Sequence, residues 1–225
     1  AYASSFGTAE WEYTPEETEK CKELVKQFDA ISVREAAGVD LCKNKLNVDA
    51  IHLLDPTLLL TADDYSEIIN RPKENKELFT YVLDESKSKQ DFIDEVSQKL
   101  NLKQHTNQGK SFNANIKRPL EELIKPPLET WLQGFRDAEF VITDSFHGTV
   151  FSIINKKPFI TLVNVKRGAS RFESILSKLG LEDRMVYDVN AFDPSLLHKN
   201  IDYEAVHLKL NALKEESLNF LKDNL

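Results

Sequence analysis

The chain has 225 residues, of which 41% are hydrophobic and 29% are charged. That length is enough to bury one large core or two small ones. With 7 glycines and 8 prolines, the composition excludes a fibrous or low-complexity protein. The formal net charge is −8. An acidic balance disfavours nucleic acids and anionic membranes as partners, because both select a basic protein face.

The two cysteines, Cys21 and Cys42, are too few for a disulfide framework and have no histidine at zinc-ligand spacing. Both lie on apolar sides of predicted helices, so we expect them in the core. No apolar run approaches the roughly 20 residues of a membrane-spanning helix, and the first residues lack a signal-peptide pattern. We expect a cytoplasmic protein, with a loose membrane-peripheral location as the alternative, and we interpret the chain as a fragment lacking its own beginning.

Strand and helix signals alternate along the first part of the chain. Thr14-Pro15-Glu16-Glu17 is a capping box with proline at the first helical position. A strand over 30–33, a helix over 39–46 and a strand over 50–54 follow. Asp55-Pro56-Thr57 is expected to end the second strand, since proline lacks the N–H that a ladder requires. A short capped helix is expected over 61–70.

The polar segment 70–76 is the best candidate for a domain boundary. We therefore divide the chain into 1–70, the remnant of an N-terminal half-domain and its connection, and 71–225, a Rossmann-like C-terminal domain. In the second part we predict strands over 78–83, 139–143 and 158–162. We predict helices over 128–138, 148–155 and 202–222, a helix capped at Ser88, and a helix that is capped at Ser170 and closed by Gly180. A polar loop is expected over 109–127.

Alternating strands and helices predict an α/β fold with a parallel sheet covered by helices on both faces. The terminal helix is expected to cover its own sheet, with packing on a second copy, and hence a homodimer, as the alternative. Ligands of such sheets bind at the carboxyl ends of strands. Three polar loops leave predicted strands in that direction.

The first two loops follow the strands over 30–33 and 139–143. Ser32-Val33-Arg34-Glu35 places a charged pair after a buried strand, although a surface ion pair has the same pattern. In the second loop, His147-Gly148 puts a titratable imidazole beside the N–H groups of a helix start. The alternative there is that Asp144 or Ser145 only caps the helix.

The third loop, over 164–171, brings together the cations Lys166, Arg167 and Arg171 at a predicted helix N-terminus. The helix dipole prefers anions at that end, so this cluster favours a phosphate or carboxylate site. A solvated basic loop is the alternative. No histidine has a partner at metal-ligand spacing, and no P-loop or dinucleotide fingerprint is present.

Several of these segments occur in one order that resembles a known family, the polysaccharide pyruvyl transferases. The segments are Ser32-Val33-Arg34-Glu35, Leu54-Asp55-Pro56-Thr57-Leu58-Leu59-Leu60, Val141 to Ile154 with Asp144-Ser145-Phe146-His147-Gly148 at its centre, and Lys157-Pro158-Phe159-Ile160. The resemblance implies the C-terminal part of a two-domain, GT-B-type transferase. It also implies transfer of the pyruvyl group of phosphoenolpyruvate to sugar hydroxyls of a cell-surface glycan, with formation of a ketal and release of phosphate.

The same resemblance assigns roles to residues of this chain. Arg34 matches the family's important arginine and His147 its important histidine, and Arg167 is nearest to a further basic position, with Lys166 and Arg171 as neighbours. His147 would be the general acid, and Arg34 and the cationic loop would hold the donor. The substrate-binding set is completed by Asp144, Ser145 and Gly148. The family's N-terminal half-domain is not in this chain, so much of the acceptor side is expected to be missing.

No metal or separate cofactor is expected in this scheme, because arginines can neutralise the anionic donor. Its partners are therefore phosphoenolpyruvate and a sugar or glycan acceptor. Two other functions remain open from the sequence. One is a nucleotide-sugar-dependent glycosyltransferase of the same architecture, and the other is a non-catalytic carbohydrate-binding domain.

Overall fold

The computed structural model describes residues 1–69, 71–72, 77–108, 119, 124–165 and 168–225. They fall into two compact units. The first unit is assembled from three stretches, Ala1–Leu60, Val163–Tyr187 and Asp202–Leu225, and the second from Thr61–Leu162 and Asp188–Ile201. The predicted domain division at residue 70 is a different partition and stays a prediction. Much of the predicted loop over 109–127, and the basic pair Lys166 and Arg167, lie outside the described residues.

The second unit contains a parallel sheet flanked by helices. Its strands are β3 (Leu78–Tyr81), β4 (Gln104–Thr106), β5 (Phe140–Thr143) and β6 (Phe159–Leu162), and its helices are α3 (Ala62–Ser66), α4 (Lys87–Leu100), α5 (Leu128–Asp137) and α6 (Phe146–Ile154). The spatial order is β4-β3-β5-β6, with every pairing parallel. The chain thus moves outward from β3 to β4 and then reverses to β5 on the other side of β3, so the topological switch point lies between β3 and β5.

Helices cover both faces of this sheet. The Phe79 ring of β3 packs against Phe135 of α5, with ring centroids 4.9 Å apart. Successive strand side chains alternate between faces, so Thr80 points to the other face, where it shares a cavity wall with Ile93 of α4. Strands β5 and β6 are buried at every residue. The predicted parallel α/β class is confirmed.

Two local predictions in this unit need correction. The cap of α4 is Ser86 and not Ser88, because the Ser86 hydroxyl accepts the hydrogen bond from the Lys89 N–H. Strand β4 was not predicted, since its residues are half-buried or exposed and polar. It pairs along one side of β3 through a register that joins Phe79 to His105.

The first unit contains a smaller parallel sheet. This sheet has two strands, β1 (Ser32–Val33) and β2 (Ile51–His52). The unit also contains the short strand β7 (Met185–Val186), which is not part of that sheet, and the helices α1 (Pro15–Val25), α2 (Ala36–Leu41), α7 (Ser170–Leu179) and α8 (Tyr203–Asn224). Strands β1 and β2 pair in parallel, and Ser4 forms a further parallel bridge to Val33. The predicted capping box of α1 is confirmed by reciprocal bonds between Thr14 and Glu17. Cys42 is buried as predicted, whereas Cys21 is half-buried.

The helices α7 and α8 complete the first unit. The Ser217 hydroxyl of α8 accepts a hydrogen bond of 3.1 Å from the Leu54 N–H, just beyond β2. Gly180 ends α7 in the left-handed conformation, as predicted. The capping box predicted at Ser170 is wrong. The helix begins after Ala169, and Ser170 lies inside its first turn with a buried hydroxyl. No helix in the described stretches of chain is long and apolar enough to cross a membrane.

Candidate active site

The switch point of the second unit is held together by one threonine hydroxyl. Thr143, the last residue of β5, donates to the Tyr81 carbonyl at the end of β3, at 2.6 Å. The same hydroxyl oxygen accepts from the Ser145 N–H at 3.1 Å. Since ligands of open parallel sheets bind outside the carboxyl ends of strands at such points, these bonds fix the backbone where a site is expected.

Asp144 joins the two loops that leave the switch point. Its buried carboxylate accepts from the Leu83 N–H at 2.6 Å, from the Asp84 N–H at 3.0 Å and from the Lys89 ammonium at 2.6 Å. The Asp144 side chain has no exposed area, and that of Lys89 is 18% exposed. These bonds give Asp144 a structural role in this unit. Its predicted role in binding substrate stays a prediction.

Helix α6 starts directly after these residues. The Ser145 hydroxyl accepts from the Gly148 N–H at 3.3 Å, which makes Ser145 the N-cap of α6. A Cβ atom on Gly148 would lie 2.2 Å from the Thr143 hydroxyl oxygen. Glycine is therefore required at this position, because the helix start packs directly on the end of β5.

His147 is the exception on α6. The other eight residues of this nine-residue helix are buried, and only His147 is partly accessible. Its imidazole lies 5.4 Å from the Phe146 ring, between centroids. A titratable side chain thus reaches the surface from a helix whose remaining surface is enclosed, at the carboxyl end of a central strand.

A cavity of about 550 Å³ opens beside the switch point in the same unit. That volume lies in the range of small-molecule sites. Its wall combines apolar positions of the sheet and α4 with charged and amide side chains, and it includes Val82, Glu85, Lys87, Lys89, Gln90 and Gln108. Such a mixture can satisfy the hydroxyl groups of a sugar.

In the first unit, Arg34 follows β1 and meets the segment that follows β2. Its Nη1 lies 2.5 Å from the Asp55 Oδ2. On the other side, its Nε lies 3.6 Å from the Glu35 Oε1, which also accepts a hydrogen bond from the Ser5 hydroxyl. Both carboxylate side chains are almost fully buried, whereas Arg34 is 17% exposed. The guanidinium is therefore oriented by acidic groups on two sides.

His52 supports the backbone of Arg34. Its Nε2 lies 3.2 Å from the Arg34 carbonyl oxygen, which makes Nε2 the protonated nitrogen of a neutral ring. Burial, together with the positive charge of Lys178, lowers the pKa of His52 to about 4. The imidazole is therefore neutral at pH 7 and donates to the carbonyl of Arg34.

The third predicted loop approaches the N-terminal segment within the first unit. Gly168 has a φ of +89°, and a Cβ atom there would lie 1.6 Å from the Gly7 carbonyl oxygen. Helix α7 begins two residues later, and Arg171 lies half-buried in its first turn. Lys166 and Arg167 lie outside the described residues, so the predicted cationic cluster as a whole stays a prediction.

The structure thus brings Asp144, Ser145, His147 and Gly148 together in the second unit, while Arg34 and Arg171 belong to the first. Sequence reasoning missed Lys89 and the pairing of Asp55 with Arg34. A signal for the second was available, since charged residues that follow neighbouring parallel strands meet at one sheet edge. In the described part of the chain, no group of three or more His, Cys, Asp or Glu side chains is arranged to hold a metal ion.

Comparisons with known proteins point to one family. The model of the family "Polysaccharide pyruvyl transferase" matches residues 1–166. No curated protein matches the chain significantly. A solved structure, that of the glycotransferase of kitacinnamycin, is 18% identical with a TM-score of 0.42, and the match covers 90% of this chain and 57% of that one. Because the family model covers well over half of the residues, this chain belongs to the polysaccharide pyruvyl transferase family.

Proposed function

We propose that this protein takes part in transferring the pyruvyl group of phosphoenolpyruvate to two hydroxyls of a glycan or glycan precursor. The observation that carries the proposal is the position of His147. It is the one accessible residue of α6, and it stands at the carboxyl end of β5, beside the switch point of the sheet. Membership of the family supports the donor and the type of reaction.

The reaction requires a proton donor near neutral pH, which is the usual task of an imidazole. His147 donates a proton to the methylene carbon of phosphoenolpyruvate, and the adjacent carbon gains oxocarbenium character. A sugar hydroxyl forms a C–O bond to that carbon, and the C–O bond to phosphate breaks. A second hydroxyl then closes the ketal. One hydroxyl proton returns to His147 and the other leaves with the phosphate, so the products are ketal and inorganic phosphate.

The anionic groups of the donor need cationic partners. A planar guanidinium matches carboxylate and phosphate oxygens in pairs, and we assign this task to Arg34, with Arg171, Arg167 and Lys166 as further candidates. The Arg34 side chain is 17% exposed, while the carboxylates of Asp55 and Glu35 that orient its guanidinium are almost fully buried. In the second unit, the N–H groups at the start of α6 provide a positive end that favours an anionic ligand. The acceptor sugar is assigned to the polar cavity beside α4.

The test measures phosphoenolpyruvate-dependent phosphate release with a panel of glycan acceptors, and mass spectrometry of the acceptor for the ketal. In the full-length protein, His147→Ala is expected to lower turnover by roughly 10²-fold or more. The matched control is His198→Ala, since His198 is an exposed histidine at the end of a short helical turn. Turnover near that of the wild type in His147→Ala would remove His147 from the mechanism.

The same assay separates the other functions. Consumption of a nucleotide-sugar in place of phosphoenolpyruvate would assign the site to glycosyl transfer. Acceptor sugars that bind without turnover of either donor would assign the protein to carbohydrate binding. Either result would overturn the proposal.

A further inference from the structure

The segment after β2 contains a turn whose sequence pattern, Asp-Pro-Thr/Ser-Leu-Leu, occurs twice in the chain. Asp55-Pro56-Thr57-Leu58-Leu59 and Asp193-Pro194-Ser195-Leu196-Leu197 both form one turn of 3₁₀-helix with aspartate as the N-cap and proline first. In each, the aspartate accepts from the N–H and from the hydroxyl of the residue two positions later. The local structure of the turn is thus fully explained by its own sequence.

The two aspartates differ in their surroundings. Asp193 is exposed and uses both of its carboxylate oxygens on Ser195, one for the N–H and one for the hydroxyl. Asp55 is 3% exposed and uses only Oδ1 for the turn, with Thr57 N–H and hydroxyl at 3.0 and 2.6 Å. Its Oδ2 faces Arg34 at 2.5 Å. Capping therefore does not explain why Asp55 is buried or where its second oxygen points.

Stability does not explain the pair either. Removing a carboxylate and a guanidinium from water costs about as much as their attraction returns, so a buried ion pair is weak evidence for a stabilising role. The strands concerned are already joined by backbone hydrogen bonds, which include Leu53 N–H to the Val33 carbonyl at 2.9 Å. What the pair adds is a fixed direction for the planar guanidinium. The Thr57 N–H and hydroxyl hold the Asp55 carboxylate in place, so it cannot rotate when the Arg34 side chain moves.

We propose that Asp55 is a positioning residue, which fixes the guanidinium of Arg34 for binding the anionic donor. This inference rests on the proposed function for its substrate, but the orientation itself is independent of it. The position of an anion-binding group within about 1 Å decides much of its contribution. Asp55 acts through Arg34 and needs no contact with substrate.

The first experiment observes the guanidinium directly. In protein labelled with ¹⁵N-arginine, exchange between the two Nη positions is measured by NMR, and the Arg34 signal is assigned from its loss in Arg34→Lys. Slow exchange is expected in the wild type and in the matched control Asp193→Asn, and fast exchange in Asp55→Asn. Fast exchange in the wild type, or slow exchange that persists in Asp55→Asn, would overturn the inference whether or not phosphoenolpyruvate is the donor.

The second experiment measures kcat and KM for phosphoenolpyruvate. Asp55→Asn is expected to raise KM by about tenfold or more. Thr57→Val removes only the hydroxyl that holds the Asp55 carboxylate, and it is expected to raise KM by less. Adding Asp55→Asn to Arg34→Lys is expected to cause little further loss. A merely structural role would lower kcat through loss of folded enzyme, leave KM unchanged and add to Arg34→Lys, and that result would overturn the inference. If rotation of the Arg34 guanidinium is restrained but phosphoenolpyruvate is not turned over, the proposed function is refuted and the positioning role of Asp55 is not.

Discussion

Replacing Asp144 by alanine is expected to lower the free energy of unfolding of the second unit by about 3–5 kcal/mol. The substitution removes the partner of Lys89 and leaves the Leu83 and Asp84 N–H groups without their acceptor. A fully buried donor without a partner costs about 1–3 kcal/mol, and the cost is lower for these two N–H groups, because both hydrogen bonds are only partly buried. The sum is reduced because the Lys89 ammonium keeps the Asp84 carbonyl, 2.9 Å away. The expected loss is a large part of the roughly 5–15 kcal/mol of a typical domain.

Urea unfolding followed by tryptophan fluorescence measures this loss. A Trp11→Phe background leaves the emission of Trp131, which packs between the Tyr81 and Phe151 rings of the second unit. Lys89→Met, combined with the Asp144 variant in a double-mutant cycle, separates the ion pair from the two backbone bonds. The reasoning would be refuted by a loss below about 1 kcal/mol with an unchanged dependence of the free energy of unfolding on urea concentration. Such a result would mean that the loops after β3 and β5 keep their structure without the Asp144 carboxylate.

Three further predictions concern packing and pH. Gly148→Ala is expected to lower the melting temperature, because the added Cβ would meet the Thr143 hydroxyl. Adding Thr143→Ser should restore little of this loss, because that substitution removes a methyl group and keeps the hydroxyl. Gly168→Ala is expected to lower the melting temperature more than Gly148→Ala does, since the added Cβ would meet the Gly7 backbone and the residue has a positive φ. Equal melting temperatures of the two variants would contradict this order. His52 has a native pKa of about 4, below its ordinary value, so the unfolded chain binds the proton more tightly. The free energy of unfolding should therefore be highest above about pH 6.5 and fall on acidification towards pH 4, and His52→Gln should flatten this slope.

Local signals predicted most of the elements. The capping box at Thr14 depends only on residues next to it in the chain, and the prediction is confirmed. The strand over Phe140–Thr143 is an apolar run that becomes buried, and its prediction is confirmed too. Strand β4 carries no such signal, because at the side of a sheet a polar sequence can pair as well as an apolar one. The cap predicted at Ser170 is wrong because α7 starts one residue earlier than expected, after Ala169, and no side chain caps it.

The candidate site was predictable only as separate loops. The motif around His147 and the position of Arg34 are visible in the sequence, since each follows a predicted strand. The partners of these loops are not, because Lys89 lies 55 residues from Asp144 and Asp55 lies 21 residues from Arg34. Such pairings depend on strand order, which hydrophobic periodicity does not specify.

The interrupted composition of the first unit affects how the chain folds during synthesis. Residues 61–162 of the second unit leave the ribosome as one stretch, whereas the first unit needs three stretches that are separated along the chain. The Leu54 N–H obtains its acceptor, the Ser217 hydroxyl, only after 163 further positions have been translated. At about 5–20 residues per second that interval is roughly 8–30 s. During it, the segment after β2 lacks this acceptor, and the Leu54 N–H must be satisfied by water.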